Sequence, residues 1–264
     1  MRVVATDLLA DLESYYDAAP RAGATTEQVG PFTLFVASGP AGWPYYARPR
    51  LRLAADVTAN DVRAVRARQR ELDVPESIEW VHQTTPSLLA AARETGMAVR
   101  ECPLLVLPAG WSPSDRAGTP AAGAGSCRIA VLPADSPDLV AVVSAVSAGF
   151  AGTDDVQPRE PRRQPRLMRE GLLAVVGAYD GRGAVVGGGT HSPRGSTTEL
   201  TGIAVLPRAR RRGVGAAITL ALVGDARRRG MHTIFLSAQD DSVARVYERV
   251  GFVRVGTACI AGDG

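Results

Sequence analysis

Lysine is absent: all 30 basic residues of this 264-residue chain are arginine. The formal charge of +3 therefore rests on groups that stay protonated at any working pH. So small a net charge, with 27 acidic residues interspersed, argues against a chain that binds polyanions over its whole surface. Cysteine and histidine are scarce, three of each. Cys102, Cys127 and Cys259 show no CxxC spacing, which excludes a zinc ribbon or a redox pair and predicts reduced thiols and no metal site. No apolar run approaches the roughly 18 residues of a membrane span, and Asp7 falls where a signal peptide would carry its apolar stretch. A soluble, cytoplasmic protein is expected, with neither a membrane nor a nucleic acid as partner.

Apolar residues make up 45% of the chain. Its length is room for two domains at roughly 100–150 residues each. From Pro108 to Ser126 the residues are mostly Pro, Gly, Ala and Ser with no apolar period, which marks 108–126 as a linker between domains at 1–107 and 127–264. In the first domain, strands are expected at 32–36, 51–53, 78–81 and 104–107, with helices at 60–72 and 85–94, the latter stopped by Gly96. In the second, a strand at 127–132 precedes an apolar helix capped by Ser136. Residues 154–170, charged and broken by proline, read as a loop or a poor helix. Strands at 172–179 and 183–190 are joined through Asp180, Gly181, Arg182 and Gly183, a hairpin composition. A strand at 199–205 then runs into a run of arginine and glycine that opens a helix at 213–229, ended by Gly230. A strand at 233–237, a helix at 242–250 and a strand pair within 252–260 complete the expected order.

The arginine-glycine run carries the chemistry. A pyrophosphate needs several backbone N–H donors converging at the positive end of a helix, and glycine there lets the backbone approach without a Cβ in the way. A glycine pair alone is weak evidence, and an arginine run is usually a solvated face. Here the glycines follow a strand directly and open an apolar helix, the position an anion cradle requires.

The run Arg210-Arg211-Arg212-Gly213-Val214-Gly215 resembles the Gln/Arg-x-x-Gly-x-Gly/Ala turn of the GNAT superfamily of acyl-CoA-dependent N-acyltransferases. Ile203-Ala204-Val205-Leu206-Pro207 looks like the strand that leads into that turn. A second signature of the family, Tyr followed by Glu-x-x-Gly-Phe, is matched by Tyr247-Glu248-Arg249-Val250-Gly251-Phe252. Seven residues before the Tyr, where the family has Asn, this sequence has Asp240, a departure at one contact to the cofactor arm.

The resemblance implies an α/β (α+β) fold with a mixed, twisted sheet that splays open, leaving backbone groups of Ile203, Ala204 and Val205 free for the pantetheine arm of acetyl-CoA. It implies that the phosphates lie on Arg210, Arg211, Arg212, Gly213, Val214, Gly215 and Ala216. Tyr247 would protonate the departing thiolate; the structural alternative is a tyrosine packed beside Phe252. Glu199 matches the base position of histone-acetylating members, six residues before Val205 and on the same strand face by the two-residue period. Its alternative is an exposed carboxylate at the strand entry. His191 has a possible place on the acceptor side, though a lone strand histidine is more often structural.

Laying Gly96 on Gly251 places Trp80 on Phe235, Leu88 on Val243 and Met97 on Phe252. The N-terminal half thus reads as a degenerate GNAT-like unit, a half-erased repeat of the C-terminal one. The same offset lays Thr58 on Gly213, Asn60 on Gly215 and Ala92 on Tyr247, so this half lacks the phosphate turn and the acid. The function that follows is transfer of an acetyl group from acetyl-CoA to a primary amine of a small molecule or peptide, directly and in a ternary complex. Asp154, Asp155 and Glu160 favour a cationic acceptor. The alternative is a non-catalytic acyl-CoA-binding regulatory module.

Overall fold

The computed structural model describes residues 2–39, 45–112 and 127–262, with side chains from residue 8 onward. In chain order its elements are α1 (Arg2–Arg21), β1 (Ala24–Val29), β2 (Phe32–Ala37), β3 (Ala47–Pro49), α2 (Ala59–Glu71), β4 (Ile78–Val81), α3 (Ser87–Glu94) and β5 (Ala98–Val106). There follow β6 (Arg128–Leu132), α4 (Leu139–Phe150), α5 (Gln164–Arg169), β7 (Ala174–Tyr179), β8 (Val185–Arg194) and β9 (Thr197–Val205). A short 3-10 turn, Pro207–Ala209, leads to α6 (Val214–Arg228), β10 (Thr233–Ser237), α7 (Asp241–Val250) and β11 (Val253–Gly262). Two compact units form. One comprises Met1–Leu104 with Ser237–Asp241 and Arg254–Gly264, the other Leu105–Leu236 with Ser242–Val253.

In the first unit the strand order is β1-β2-β3-β4-β11-β5. The last strand of the chain is thus an interior strand here, antiparallel to β4 with Ala258 opposite Val81 and Cys259 opposite Trp80. Because side chains alternate along a strand, each strand serves two faces. Phe32, Leu34, Ala47, Ile78, Trp80, Cys259 and Ala261 form one face and pack on Val62 and Val65 of α2 and Leu88, Ala91 and Ala92 of α3. On the opposite face Arg48, only 3% exposed, meets α1. Its guanidinium pairs with Glu13 at 3.1 Å and lies 4.3 Å from the centre of the Tyr16 ring. Pairing is what makes so deeply buried a charge tolerable.

In the second unit the order is β10-β9-β8-β7-β6. The strands β6 to β9 are antiparallel neighbours and β10 joins β9 in parallel, a mixed sheet. Helices cover both faces. Val142 and Val146 of α4 lie over Gly188, and Ile218 and Leu222 of α6 lie over its neighbour Gly189. Between sheet and α6, His191 is fully buried, with one ring nitrogen 3.0 Å from Thr198 Oγ1 and the other 2.9 Å from Asp225 Oδ2. Asp225 also accepts from Arg229 Nε at 2.6 Å and Arg228 at 3.2 Å. Burial lowers the His191 pKa against the opposing pull of Asp225. For Asp225, burial works to raise the pKa, but the hydrogen bonds from His191 and Arg229 hold it below the usual carboxylate range.

A histidine whose pKa is lowered in the folded state contributes stability above its unfolded pKa of about 6.5 and loses it as pH falls, because the unfolded chain takes the proton first. The unfolding free energy from urea titration should therefore drop from pH 7 to pH 5, by at most about 1.4 kcal/mol per pH unit from this residue, and His191→Gln should flatten the drop. An equal drop in the variant would show that His191 is not its source.

The internal repeat is visible element by element. Helix α2 begins after Thr58 and α6 after Gly213, 155 positions on. The same spacing carries β4 onto β10, α3 onto α7 and β5 onto β11. Gly96 and Gly251 both hold positive φ, 81° and 120°, where their helices stop.

Several expectations need correction. Residues 51–53 form a turn rather than a strand, closed by the Leu53 N–H on the Arg50 carbonyl. Strand β5 starts at Ala98, and 253–262 is a single strand rather than a pair. Residues 254–262, placed by expectation in a domain at 127–264, build the sheet of the first unit. Helix α1 and β1 were not anticipated, although Leu8, Leu12, Tyr15 and Tyr16 carry a helical period. The expected linker lies mostly outside the described residues; of it, Trp111 packs against Gly251.

Candidate functional site

The crossover from β9 to α6 is built to expose backbone donors. After the 3-10 turn, Arg211 (φ 59°) and Gly213 (φ 77°) both adopt left-handed conformations, bringing the chain round into α6. Gly213 is the N-cap and offers no side-chain acceptor, and the first helical bond here is Ala217 N–H to the Gly213 carbonyl at 3.0 Å. The N–H groups of Val214, Gly215 and Ala216 thus have no partner within the helix, at its positive end. A Cβ built on Gly215 would come no nearer than 4.0 Å to any heavy atom beyond the adjoining backbone, and that atom is a Val205 methyl group. The protein's own packing does not require glycine there. The space beside Gly215, in the first turn of α6, is open.

The three arginines divide. Arg211 and Arg212 are exposed. Arg210, expected on the phosphates, instead donates from Nε to the Val205 carbonyl at 3.0 Å and from its terminal nitrogen to the Gly149 carbonyl at 2.6 Å. It ties the end of β9 to the end of α4. The Val205 carbonyl, expected to be free for the cofactor arm, is engaged by that bond.

Beside the turn the sheet parts. Parallel pairing with β10 covers Thr197, Thr198 and Glu199 only, whereas β9 runs on to Val205. Ile203 and Ala204 lie on this extension.

The extension contains a bulge. Gly188 and Thr190 of β8 pair with Ala204 and Thr201 of β9, so two steps on one strand match three on the other. The extra residue centres on Gly202, with φ 61°, a conformation that favours glycine. It reverses the face alternation. Glu199, opposite Ser192, shares its face with Ala204 and not with Val205. The two-residue period failed because it assumes an unbroken ladder. Thr201 and Thr190 stand on the Glu199 face with hydroxyls 2.8 Å apart. They escaped the sequence reading, although an isolated glycine in a strand pattern is a signal for such a bulge.

Tyr247 lies on the buried stripe of α7 with Ala244 and Val250, 9% exposed and edge-on to Phe252 at 6.2 Å between centroids. Burial pushes its phenol up to about 12. Tyr247, Glu199 and the turn all belong to the second unit, whereas Asp240 is an exposed bend residue of the first. His191 faces α6, away from Glu199. Asp154 holds the Arg208 N–H at 3.2 Å and its guanidinium at 3.4 Å. Among the described residues no group of three or more His, Cys, Asp or Glu side chains could hold a metal ion, and no helix is long and apolar enough to cross a membrane.

The equivalent terminus in the first unit is closed. Thr58 Oγ1 accepts the Asp61 N–H at 3.3 Å, and Asp61 Oδ2 accepts the Thr58 N–H at 2.8 Å. This reciprocal cap supplies the negative charge that a phosphate would bring. One CoA per chain is the expected stoichiometry, and calorimetry returning two would overturn that account of the cap.

Comparison with known proteins gives a consistent picture. Residues 143–252 match the Acetyltransferase (GNAT) family. No curated protein sequence matches significantly. A GCN5-related N-acetyltransferase from Kribbella flavida superposes with a TM-score of 0.71 at 22% identity, over 97% of this chain and 95% of that one. A tandem GNAT protein from the clavulanic acid biosynthesis pathway gives 0.56 at 17% identity, over 87% and 77%. A GCN5-related N-acetyltransferase from Sphaerobacter thermophilus gives 0.54 at 18%, over 89% and 81%. Residues 143–252 thus carry a GNAT acetyltransferase match, and the chain as a whole has the fold of tandem GNAT proteins.

Proposed function

We propose that the protein is an acetyl-CoA-dependent N-acetyltransferase that acts through its second unit on a primary amine of a small molecule or peptide. The observation that carries this reading is the uncapped start of α6, with open space at Gly215, beside a strand that parts from its neighbour. Val214, Gly215 and Ala216 would hold the pyrophosphate by their N–H groups, and Arg211 and Arg212 would add charge. Ile203 and Ala204 would offer backbone groups to the pantetheine arm.

In the transfer, the acceptor nitrogen forms a bond to the acyl carbon and the carbon–sulfur bond breaks. Glu199, directly or through water, takes the proton that the nitrogen loses, and Tyr247 gives a proton to the thiolate. No covalent enzyme intermediate is needed. The engagement of Asp154 by Arg208 leaves Asp155 and Glu160 as the stronger candidates for drawing a cationic acceptor.

The test is thiol release from acetyl-CoA with a panel of primary amines, followed by mass spectrometry of the product. Acetylated amine is the expected result. Tight CoA binding without turnover on any amine would replace catalysis with a binding role.

A further inference from the structure

The first unit contains a cavity of about 910 Å³ that the acyl-transfer reading does not use. Its walls are α1, the turn that follows β3, and the loop between β4 and α3. Small-molecule sites typically measure roughly 300–1,000 Å³. Leu9, Pro49, Leu51 and Leu53 supply apolar wall, and Arg50 and Arg52 supply cations on either side of Leu51.

The turn is strained in a way that keeps one of these cations in place. Leu53 N–H donates to the Arg50 carbonyl at 3.2 Å, and Arg52, third in the turn, has φ 58°. Glycine is the ordinary residue at such a position, and a residue with a Cβ is disfavoured there. Glycine would relieve the turn but remove the guanidinium.

Charge balance points to the ligand. Among the described residues neither Arg50 nor Arg52 makes an ion pair or a side-chain hydrogen bond, although both line the cavity. Of the two lining carboxylates, Glu13 is neutralised by Arg48 at 3.1 Å and accepts from Thr84 Oγ1 at 2.7 Å. Asp11 is exposed and offsets one of the two arginines. One positive charge is left over beside apolar wall. A CoA thioester, with several negative charges, matches that single surplus charge less well than a monoanion does.

We infer that this cavity binds a monoanionic amphiphile, a medium-chain carboxylate whose head is held by Arg50 and Arg52 and whose chain lies against Leu9, Pro49, Leu51 and Leu53. The cavity is lined by residues of the first unit, whereas the proposed transfer residues belong to the second, and it takes a different ligand.

Decanoate titrated into the full-length protein tests this, by calorimetry with and without saturating CoA. Saturable one-to-one binding is expected in both conditions, with decylammonium failing to bind. Arg50→Ala/Arg52→Gly should weaken decanoate at least about tenfold, the loss of a charge-assisted contact. CoA affinity, measured on the same sample, should be unchanged, and a wild-type far-UV circular dichroism spectrum and urea midpoint report that the variant's first unit is folded. The glycine also relieves the turn. Absence of saturable decanoate binding, displacement by CoA, equal binding of decylammonium, or an undiminished variant would each overturn the assignment. None of these outcomes touches acetyl transfer, which is read separately from thiol release.

Discussion

Gly215→Asp should weaken CoA binding by at least about 100-fold while leaving the protein as stable as before or slightly more so. Two opposite effects of one carboxylate make this a clean test. A Cβ at position 215 meets nothing nearer than 4.0 Å, so the substitution fits. An acidic side chain in the first turn of α6 complements the helix dipole, worth about 0.3–1 kcal/mol. The same charge, however, would stand in the place proposed for the pyrophosphate and repel it. Charge-assisted hydrogen bonds contribute roughly 1.5–3 kcal/mol each, so loss of two corresponds to about 10²–10⁴ in affinity. Gly213→Asp is less informative, because φ 77° penalises any side chain and confuses folding with binding. Calorimetry giving wild-type CoA affinity for a folded Gly215→Asp protein would remove the turn from the binding site.

Tyr247→Phe should lower kcat by about 10²–10⁴, the usual worth of general acid assistance, and leave CoA affinity close to wild type. The ring and its contact with Phe252 survive the change, so stability should move little. Because burial pushes the phenol up to about 12, Tyr247 is protonated throughout the working range. No alkaline fall in kcat should then trace to it. An alkaline limb present in the wild type and absent in Tyr247→Phe would show that the tyrosine titrates lower than its burial dictates. Glu199→Gln should behave differently. Its defect should shrink as pH rises toward the acceptor's own pKa, where free amine is supplied by solvent. A defect of constant size would make Glu199 a residue that positions the acceptor.

What the sequence revealed was local. The strand, turn and helix around Gly213 were readable because their signals lie within about 30 residues: an apolar strand, glycines and an apolar helical period. The repeat was readable because two copies of one pattern lie in register, down to equivalent N-caps at Thr58 and Gly213. Partners set by tertiary packing were not. Nothing near Arg210 in sequence indicates that its guanidinium reaches the Gly149 carbonyl. The face of Glu199 depended on one backbone angle at Gly202. The placement of β11 in the first unit is a pairing between residues as far apart as Val81 and Ala258, which no local period reports.

That last pairing has a consequence for biosynthesis. Val81 leaves the ribosome 177 residues ahead of Ala258, and chains are made at about 5–20 residues per second. For roughly 10–35 s the edge of β4 is without the strand that will cover it, a row of open backbone groups next to an apolar face. The N-terminal half is the first to be synthesised but cannot be the first to finish folding. A chain cut short before residue 253 should expose the same edge permanently and be found with chaperones or in aggregates, even though its missing piece is ten residues of strand from the other end of the sequence.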